Sequence, residues 1–212
     1  MRVGILGSGL MGGKLGTIFA RAGHSVVFSY SRSKQKLERL ASDAGSNARA
    51  GTPRDAGMAA DALLLAVHWN RFDDVLKQAG DLSGKVILNC SLPMNAGNTE
   101  LVVGHTSSGS EELAKRLPQG QVVSAFGSIP SEVLFGVFER RGEADRPSML
   151  HCGDDERAKE IAAQLIQDVG FDPLDVGALS QARYIEAFTM LVATLAYERD
   201  EGPELAYRFE WF

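Results

Sequence analysis

Three glycines spaced Gly7-x-Gly9-x-x-Gly12 follow directly on the apolar run Val3-Gly4-Ile5-Leu6 and open a stretch of helical character that continues to Ala22. Gly23 stops that stretch, and Ser25–Ser29 supplies a second run of strand character. A strand, a glycine turn, a helix and a second strand in this order form the opening unit of a doubly wound α/β sheet, built to hold a dinucleotide. Gly7 permits the tight turn, and Gly9 keeps a Cβ out of the path of a pyrophosphate. Gly12 lets the helix pack close to the strand. The amides of the loop and first helical turn then face the phosphates, assisted by the helix dipole. The segment Gly7, Ser8, Gly9, Leu10, Met11 and Gly12 is therefore expected to touch the cofactor.

The end of the second strand discriminates between dinucleotides. An NAD site places an Asp or Glu there to hold the ribose 2′-hydroxyl. This chain has Tyr30-Ser31-Arg32-Ser33-Lys34-Gln35-Lys36, and no acidic residue precedes Glu38. Six bases do: Arg2, Lys14, Arg21, Arg32, Lys34 and Lys36; since the whole chain is −5 and this segment is +6, the remainder carries −11. A carboxylate would repel the 2′-phosphate of NADP, whereas Ser31 donates a hydrogen bond to it and Arg32 pairs with it or stacks on adenine. The alternative is that Arg32, Lys34 and Lys36 form an ordinary solvated helix start. NADP is the expected cofactor.

Alternation of strands and helices continues through Gln121–Phe126 and argues for a mostly parallel, doubly wound sheet. Helices are expected over Lys34–Ala44, from Thr52-Pro53, over Arg71–Gln78 and over Glu111–Leu117. Strands are expected at Asn47–Ala50, Asp61–Val67 and Lys85–Asn89. Residues 1–127 read as the nucleotide-binding domain, and 128–212 as a small α/β extension for substrate and dimerisation. In that extension Ser131–Phe138 suggests a short helix, Glu139–Pro147 a charged loop suited to a lid or partner contact, and Ser148–Cys152 a strand. Asp154 is expected to cap a helix that Gly170 ends, with a strand at Phe171–Val176 after it. A last helix over Ser180–Tyr197 carries Ala182, Ile185, Thr189, Val192 and Ala196 on one face, as core or as a subunit contact. Phe209-Glu210-Trp211-Phe212 is too aromatic to stay in water, so docking on its own chain or a partner is expected.

Ligands of such sheets lie beyond the carboxyl ends of the strands where strand order reverses. Besides the glycine loop, that directs attention to His68–Asn70, to the loop opening at Ser91, and to Ala125–Pro130. His68 either donates a proton near the reacting ring or faces solvent. Trp69 either flanks the cofactor or plugs the domain edge. Cys90 and Cys152 belong to no CxxC and read as small buried residues. His24, His105 and His151 lack ligand spacing, and no metal site is expected. The longest apolar run, Ala62–Val67, is far too short to cross a bilayer. Met1 runs almost at once into the first strand, leaving no room for a signal peptide, so a cytoplasmic protein is expected. Mild acidity, with a net charge of −5, gives no cause to expect nucleic acid.

Over nearly its whole length the chain resembles the coenzyme F420-dependent NADP oxidoreductase family. The likeness rests on the Gly7–Gly12 loop, Ala22-Gly23-His24, Ser31-Arg32, Ala66-Val67-His68-Trp69 and Val123-Ser124-Ala125-Phe126-Gly127-Ser128-Ile129-Pro130. It continues through Cys152-Gly153-Asp154-Asp155, Asp168-Val169-Gly170-Phe171 and Ala182-Arg183 to Glu186. The resemblance implies hydride transfer between nicotinamide and the deazaflavin ring of F420, with Ser31, Arg32 and Lys36 on the 2′-phosphate and the backbone of Val67 and Ala125 near the nicotinamide. The family's proline after the fourth strand is His68 here, and its Lys and Asn flanking Ala125-Phe126 are Ser124 and Gly127. The connection before Ser31 is one residue longer. These departures surround the acceptor pocket and leave the phosphate site intact.

Hydride transfer between two flat rings needs orientation and exclusion of water more than acid–base side chains. The absence of a serine triad or an HExxH motif fits that demand. The expected function is an NADP(H)-dependent oxidoreductase with a small-molecule acceptor such as F420 or a flavin, acting as a homodimer. Relatives with this fold also pass electrons to ferric iron. The alternatives are a non-catalytic NADPH sensor and a reductase of an imine or small carbonyl, against which the short C-terminal part argues.

Overall fold

The computed structural model describes residues 1–212. It begins β1 (Arg2–Leu6), α1 (Leu10–Arg21), β2 (Ser25–Ser29), α2 (Lys34–Ala44), β3 (Ala48–Ala50), α3 (Pro53–Ala59) and β4 (Ala62–Leu65). A single 3-10 turn, Trp69–Arg71, leads into α4 (Phe72–Ala79), followed by β5 (Val86–Asn89), α5 (Gly109–Arg116) and β6 (Gln121–Ser124). The chain then forms α6 (Leu134–Glu139), β7 (Ser148–Gly153), α7 (Glu156–Val169), β8 (Asp172–Asp175) and α8 (Ala182–Tyr197).

All eight strands join one sheet in the order β3-β2-β1-β4-β5-β6-β7-β8. The first six run parallel, so the order reverses between β1 and β4, where Ile5 pairs with Phe28 on one side and Leu64 on the other. β7 pairs antiparallel with β6 through Ser124 and Cys152, and β8 returns parallel to β7. The segment after residue 127 therefore extends the same sheet, and it contributes Leu134, Val137, Met149, Leu165 and Phe171 to the large apolar cluster that also holds Ile5 and Phe28.

The period-2 alternation of strands explains the unbroken apolar run of β4. Ala62 and Leu64 face the cluster beneath α1, α2, α6 and α7, while Leu63 and Leu65 face a second cluster beneath α3, α4 and α5. Phe19, fully buried in α1, packs edge-on against Phe126 at 5.9 Å and is an anchor of the first layer. Its truncation to alanine is expected to cost about 3–5 kcal/mol. α3 starts as its sequence dictates: Thr52 and Asp55 form a reciprocal capping box, with Pro53 as the first helical residue.

Four expectations change. The cap of α7 is Asp155, whose Oδ1 accepts from Ala158 N at 2.8 Å. Asp154 sits one residue too early to reach that amide, and instead accepts from Leu179 N at 2.8 Å, tying the start of α7 to the turn before α8. The sixth strand ends at Ser124, because Phe126 turns the chain at φ 63°. The charged loop Glu139–Pro147 is not a lid: none of it lines the main cleft, and it is fastened by Arg146 to Asp172 at 2.6 Å and by Asp145 to Arg208 at 2.5 Å. The aromatic tail docks only in part. Tyr207 packs on Phe188 at 5.0 Å and Phe209 on Tyr207 at 5.6 Å, whereas Trp211 and Phe212 stay exposed.

Cys90 and Cys152 are buried free thiols, each pushed up to about 12 by burial. His24 is a structural residue, its Nε2 2.9 Å from Asp168 and its Nδ1 3.2 Å from the amino terminus. No group of three metal-ligating side chains converges anywhere. No helix is long and apolar enough to cross a membrane.

Candidate functional site

A cleft of about 1710 Å³ opens beyond the carboxyl ends of β1, β2, β4 and β5, at the reversal of strand order. Its floor begins at the glycine loop. Gly7 takes φ 111°, and a Cβ there would overlap the Ala66 carbonyl. Gly9 precedes α1, and a Cβ on it would meet no atom within 4 Å. That open space above Gly9 is the hollow a pyrophosphate requires. The amides of Leu10, Met11 and Gly12 are the orphan donors of the helix start, and no acidic residue lies in that first turn to repel an anion. The residues at this position therefore fit a dinucleotide.

Ser8 serves the loop from below. Its hydroxyl donates to Ser29 O at 2.9 Å, while Ser29 Oγ donates to Ile5 O at 2.7 Å, stitching β1 to β2 under the cleft. The chain leaves β2 through Tyr30 at φ 58°, a conformation that costs a non-glycine residue roughly 1–2 kcal/mol. The Tyr30 hydroxyl offsets that strain by donating to Asp74 Oδ2 at 2.5 Å, and Gln78 Nε2 donates to the same oxygen at 3.1 Å. Burial and the Asp74 carboxylate together push the Tyr30 phenol up to about 12. Beyond it, Ser31 and Arg32 line the cleft.

Every formally charged residue in the cleft wall (Arg32, Lys34, Glu38, Asp55, Arg71 and Asp74) belongs to this end. The other end is walled by Ser91, Leu92 and Met94 after β5, by Gly127, Ile129, Pro130 and Ser131, and by Thr189, Val192, Ala193 and Tyr197 of α8, none of them charged. Val67, His68 and Trp69 lie where the two ends meet. His68 is exposed in that wall. Trp69 lines the cleft, and its ring packs on buried Phe72 at 4.8 Å and lies under Arg116 at 5.0 Å. Tyr197 donates to Glu132 Oε2 at 3.0 Å, and burial and that carboxylate push its phenol up to about 12.

Ser91 Oγ donates to Leu65 O and accepts from Val67 N, both at 3.2 Å, locking the ends of β4 and β5 together. Asn89 holds Ser91 through its side-chain amide and donates to Ser110 Oγ at 2.9 Å. Ser110 in turn donates to Glu186 of α8, from its hydroxyl at 3.3 Å and from its amide at 3.1 Å, and Gly109 N adds a third bond at 2.8 Å. Burial pushes the Glu186 carboxyl up to about 7 despite these three donors. Next to it Arg183 grips Glu111 with two bonds, at 2.9 and 2.6 Å. A polar chain thus runs from the cleft floor to the helix that walls its uncharged end.

The cleft gathers Gly7, Ser8, Gly9, Leu10, Met11, Ser31, Arg32, Val67, His68, Trp69 and Ser91 of the residues proposed from sequence. It omits three. Gly12 is buried, and a Cβ there would overlap the Gly7 carbonyl, so its work is packing α1 onto the loop. Ala125 is buried beneath the wall, and its amide is taken by Asn89 O. Lys36 is exposed outside the cleft, because α2 carries it one turn away from Arg32, and its backbone amide is the one Ser33 caps. Tyr30, Arg71, Asp74 and the α8 residues were not foreseen. They come together only through tertiary packing; the one local cue was the apolar stripe of α8, which also marks ordinary core.

Residues 2–93 match the model of the family described as NADP oxidoreductase, coenzyme F420-dependent. The chain is 30% identical over 190 residues to Metalloreductase STEAP3 of Rattus norvegicus, a match covering 89% of this chain and 36% of that protein. It is 28% identical over 151 residues to the F420-dependent NADP reductase of Methanocaldococcus jannaschii, covering 67% of this chain and 65% of the reductase. The chain thus spans about a third of the metalloreductase and just under two thirds of the archaeal enzyme. In fold it matches a crystal structure assigned as an F420-dependent NADP-reductase from Arthrobacter sp. FB24, with a TM-score of 0.85, 19% identity and 99% of each chain covered. By sequence the chain is similar to the F420-dependent NADP oxidoreductases, and the match to the family model runs from Arg2 to Pro93.

Proposed function

We propose that the chain is an NADP(H)-dependent oxidoreductase that passes a hydride between the nicotinamide and a flat conjugated acceptor of flavin or deazaflavin type, F420 included. One observation carries this reading. The cleft is divided into an end that bears charges and an end that bears none, with Val67, His68 and Trp69 at the boundary. A charged adenosine phosphate suits the first, and an uncharged ring system suits the second.

Bound NADPH supplies the hydride; the chain's own residues supply position and dryness. The glycine loop and α1 hold the pyrophosphate, while Ser31 and Arg32 recognise the 2′-phosphate. Ser91 fixes the floor beneath the ring by holding Leu65 and Val67. Thr189, Val192 and Ala193 close the acceptor side against water, so residues 128–212 act as the substrate-side unit. His68, exposed at the boundary, is the candidate to deliver the proton that a reduced flavin ring must take up. The outward stripe of α8, Tyr184, Leu191 and Leu195, is the apolar surface for the homodimer this reading includes.

Oxidation of NADPH with F420, FMN, FAD and ferric chelates tests the proposal. Turnover with a flavin or deazaflavin is expected, and none with any of them would reject it. The rat metalloreductase, similar over 89% of this chain, favours a second reading in which ferric iron is the acceptor. Turnover confined to the ferric chelates would select it.

A further inference from the structure

Three cations line the charged end of the cleft: Arg32, Lys34 and Arg71. Lys34 is engaged with Glu38 at 3.5 Å. Neither Arg32 nor Arg71 has a carboxylate partner within 4.0 Å or a side-chain hydrogen bond. The acidic residues beside them are committed elsewhere. Asp55 is held in the capping box with Thr52, and Asp74 accepts from Tyr30 and Gln78. Arg32 and Arg71 both act on the Tyr30 hydroxyl, each stabilising the phenolate while Asp74 opposes it. Two guanidinium groups outside any salt bridge thus line the same end of the cleft around the Tyr30 hydroxyl, Arg32 after β2 and Arg71 at the start of α4, where Arg71 also acts on the Asp74 carboxylate.

We propose that Arg71 is the second phosphate-binding cation of the nucleotide site, meeting the 2′-phosphate of NADP from the α4 side, opposite Arg32. The proposal rests on the NADP reading given above. A 2′-phosphate carries about 1.5 to 2 negative charges near neutral pH, more than one guanidinium neutralises. Arg32 and Arg71 are the two guanidinium groups of that wall outside any salt bridge. Tyr30 positions the pair: its hydroxyl holds Asp74 in the first turn of α4, which Arg71 immediately precedes, and so fixes α4 against the end of β2. Lys36, further along α2, does not line the cleft.

Calorimetric titration of NADPH, NADH and 2′,5′-ADP into the wild type and into Arg71→Ala and Arg71→Lys tests the assignment. Arg71→Ala is expected to weaken NADPH and 2′,5′-ADP by about 10- to 100-fold while changing NADH by less than about 2-fold. Arg71→Lys should recover part of the loss, since it restores charge without the guanidinium fork. Equal weakening of NADPH and NADH would place Arg71 against the adenine or ribose and overturn the proposal, as would no change in either. A wild type that prefers NADPH over NADH while Arg71→Ala keeps that preference refutes this inference alone. A wild type without any preference refutes the NADP reading beneath it.

Discussion

Replacing Glu186 by glutamine isolates the polar chain that ties α8 to the cleft floor. Glu186 is 3% exposed and receives three hydrogen bonds, yet burial raises its pKa from 4.5 to about 7. The folded protein therefore binds this proton more tightly than the unfolded chain does. The associated stability is fully present below about pH 4.5 and is lost as the pH rises to about 7. At 1.36 kcal/mol per unit the loss amounts to roughly 3 kcal/mol. Glu186→Gln cannot titrate, so its stability carries no such term. It has a constant penalty of about 1–3 kcal/mol instead, because the amide nitrogen it presents faces one of the N–H donors of Gly109 or Ser110. Urea unfolding of both proteins between about pH 4.5 and 8 reads the difference directly, since every other titrating group is common to the two. The gap, about 1–3 kcal/mol in favour of the wild type at the acid end, should close or reverse as the pH rises through this window. A gap independent of pH would show that Glu186 stays ionised throughout, with its three donors outweighing burial.

Gly9→Ala should leave stability within about 1 kcal/mol, because the added methyl meets nothing, yet weaken NADPH by at least about ten-fold in a binding titration. Gly12→Ala should instead unfold the amino-terminal half, as its methyl collides with the Gly7 carbonyl; circular dichroism melts separate the two outcomes. Arg32→Ala should lose about 1–3 kcal/mol of NADPH affinity and little NADH affinity, and equal losses would remove Arg32 from the 2′-phosphate. His68→Ala should slow single-turnover reduction of a flavin by about 100-fold or more without altering the NADPH Kd, and an unchanged rate would show that solvent supplies the proton.

Much of this was legible in the sequence where the signal is local. Gly7–Gly12, the capping box at Thr52 and the stop at Gly170 act over a few residues, and each formed the element its chemistry demands. The apolar run of β4 likewise announced a strand covered on both faces. The antiparallel entry of β7 carries no such mark, because an apolar strand reads the same in either direction. The site divides along the same line. Ser31 and Arg32 follow β2 at the distance that the nucleotide unit fixes, whereas Arg71 and Asp74 reach the same place from 40 residues further along, through the reversal of strand order. Lys36, which the family resemblance implied beside Arg32, lies one helical turn along α2 and outside the cleft wall. Glu186 was hidden because a carboxylate on an otherwise apolar helix face reads as an interruption until its partners on α5 are known.

The charged end of the cleft comes wholly from the first half of the chain, whereas the uncharged end draws on both halves. The nucleotide grip is spread over the first half, through backbone turns and strand ends that tolerate little change. The opposite wall adds to the loop after β5 the side chains of Thr189, Val192, Ala193 and Tyr197, four positions along a single helix that is anchored at its far end by Arg183 and Glu186. Under the function proposed above, drift in those four positions would re-tailor the electron recipient while the fuel stays the same. A lineage starting from this scaffold can thus diversify its chemistry by rewriting two turns of helix.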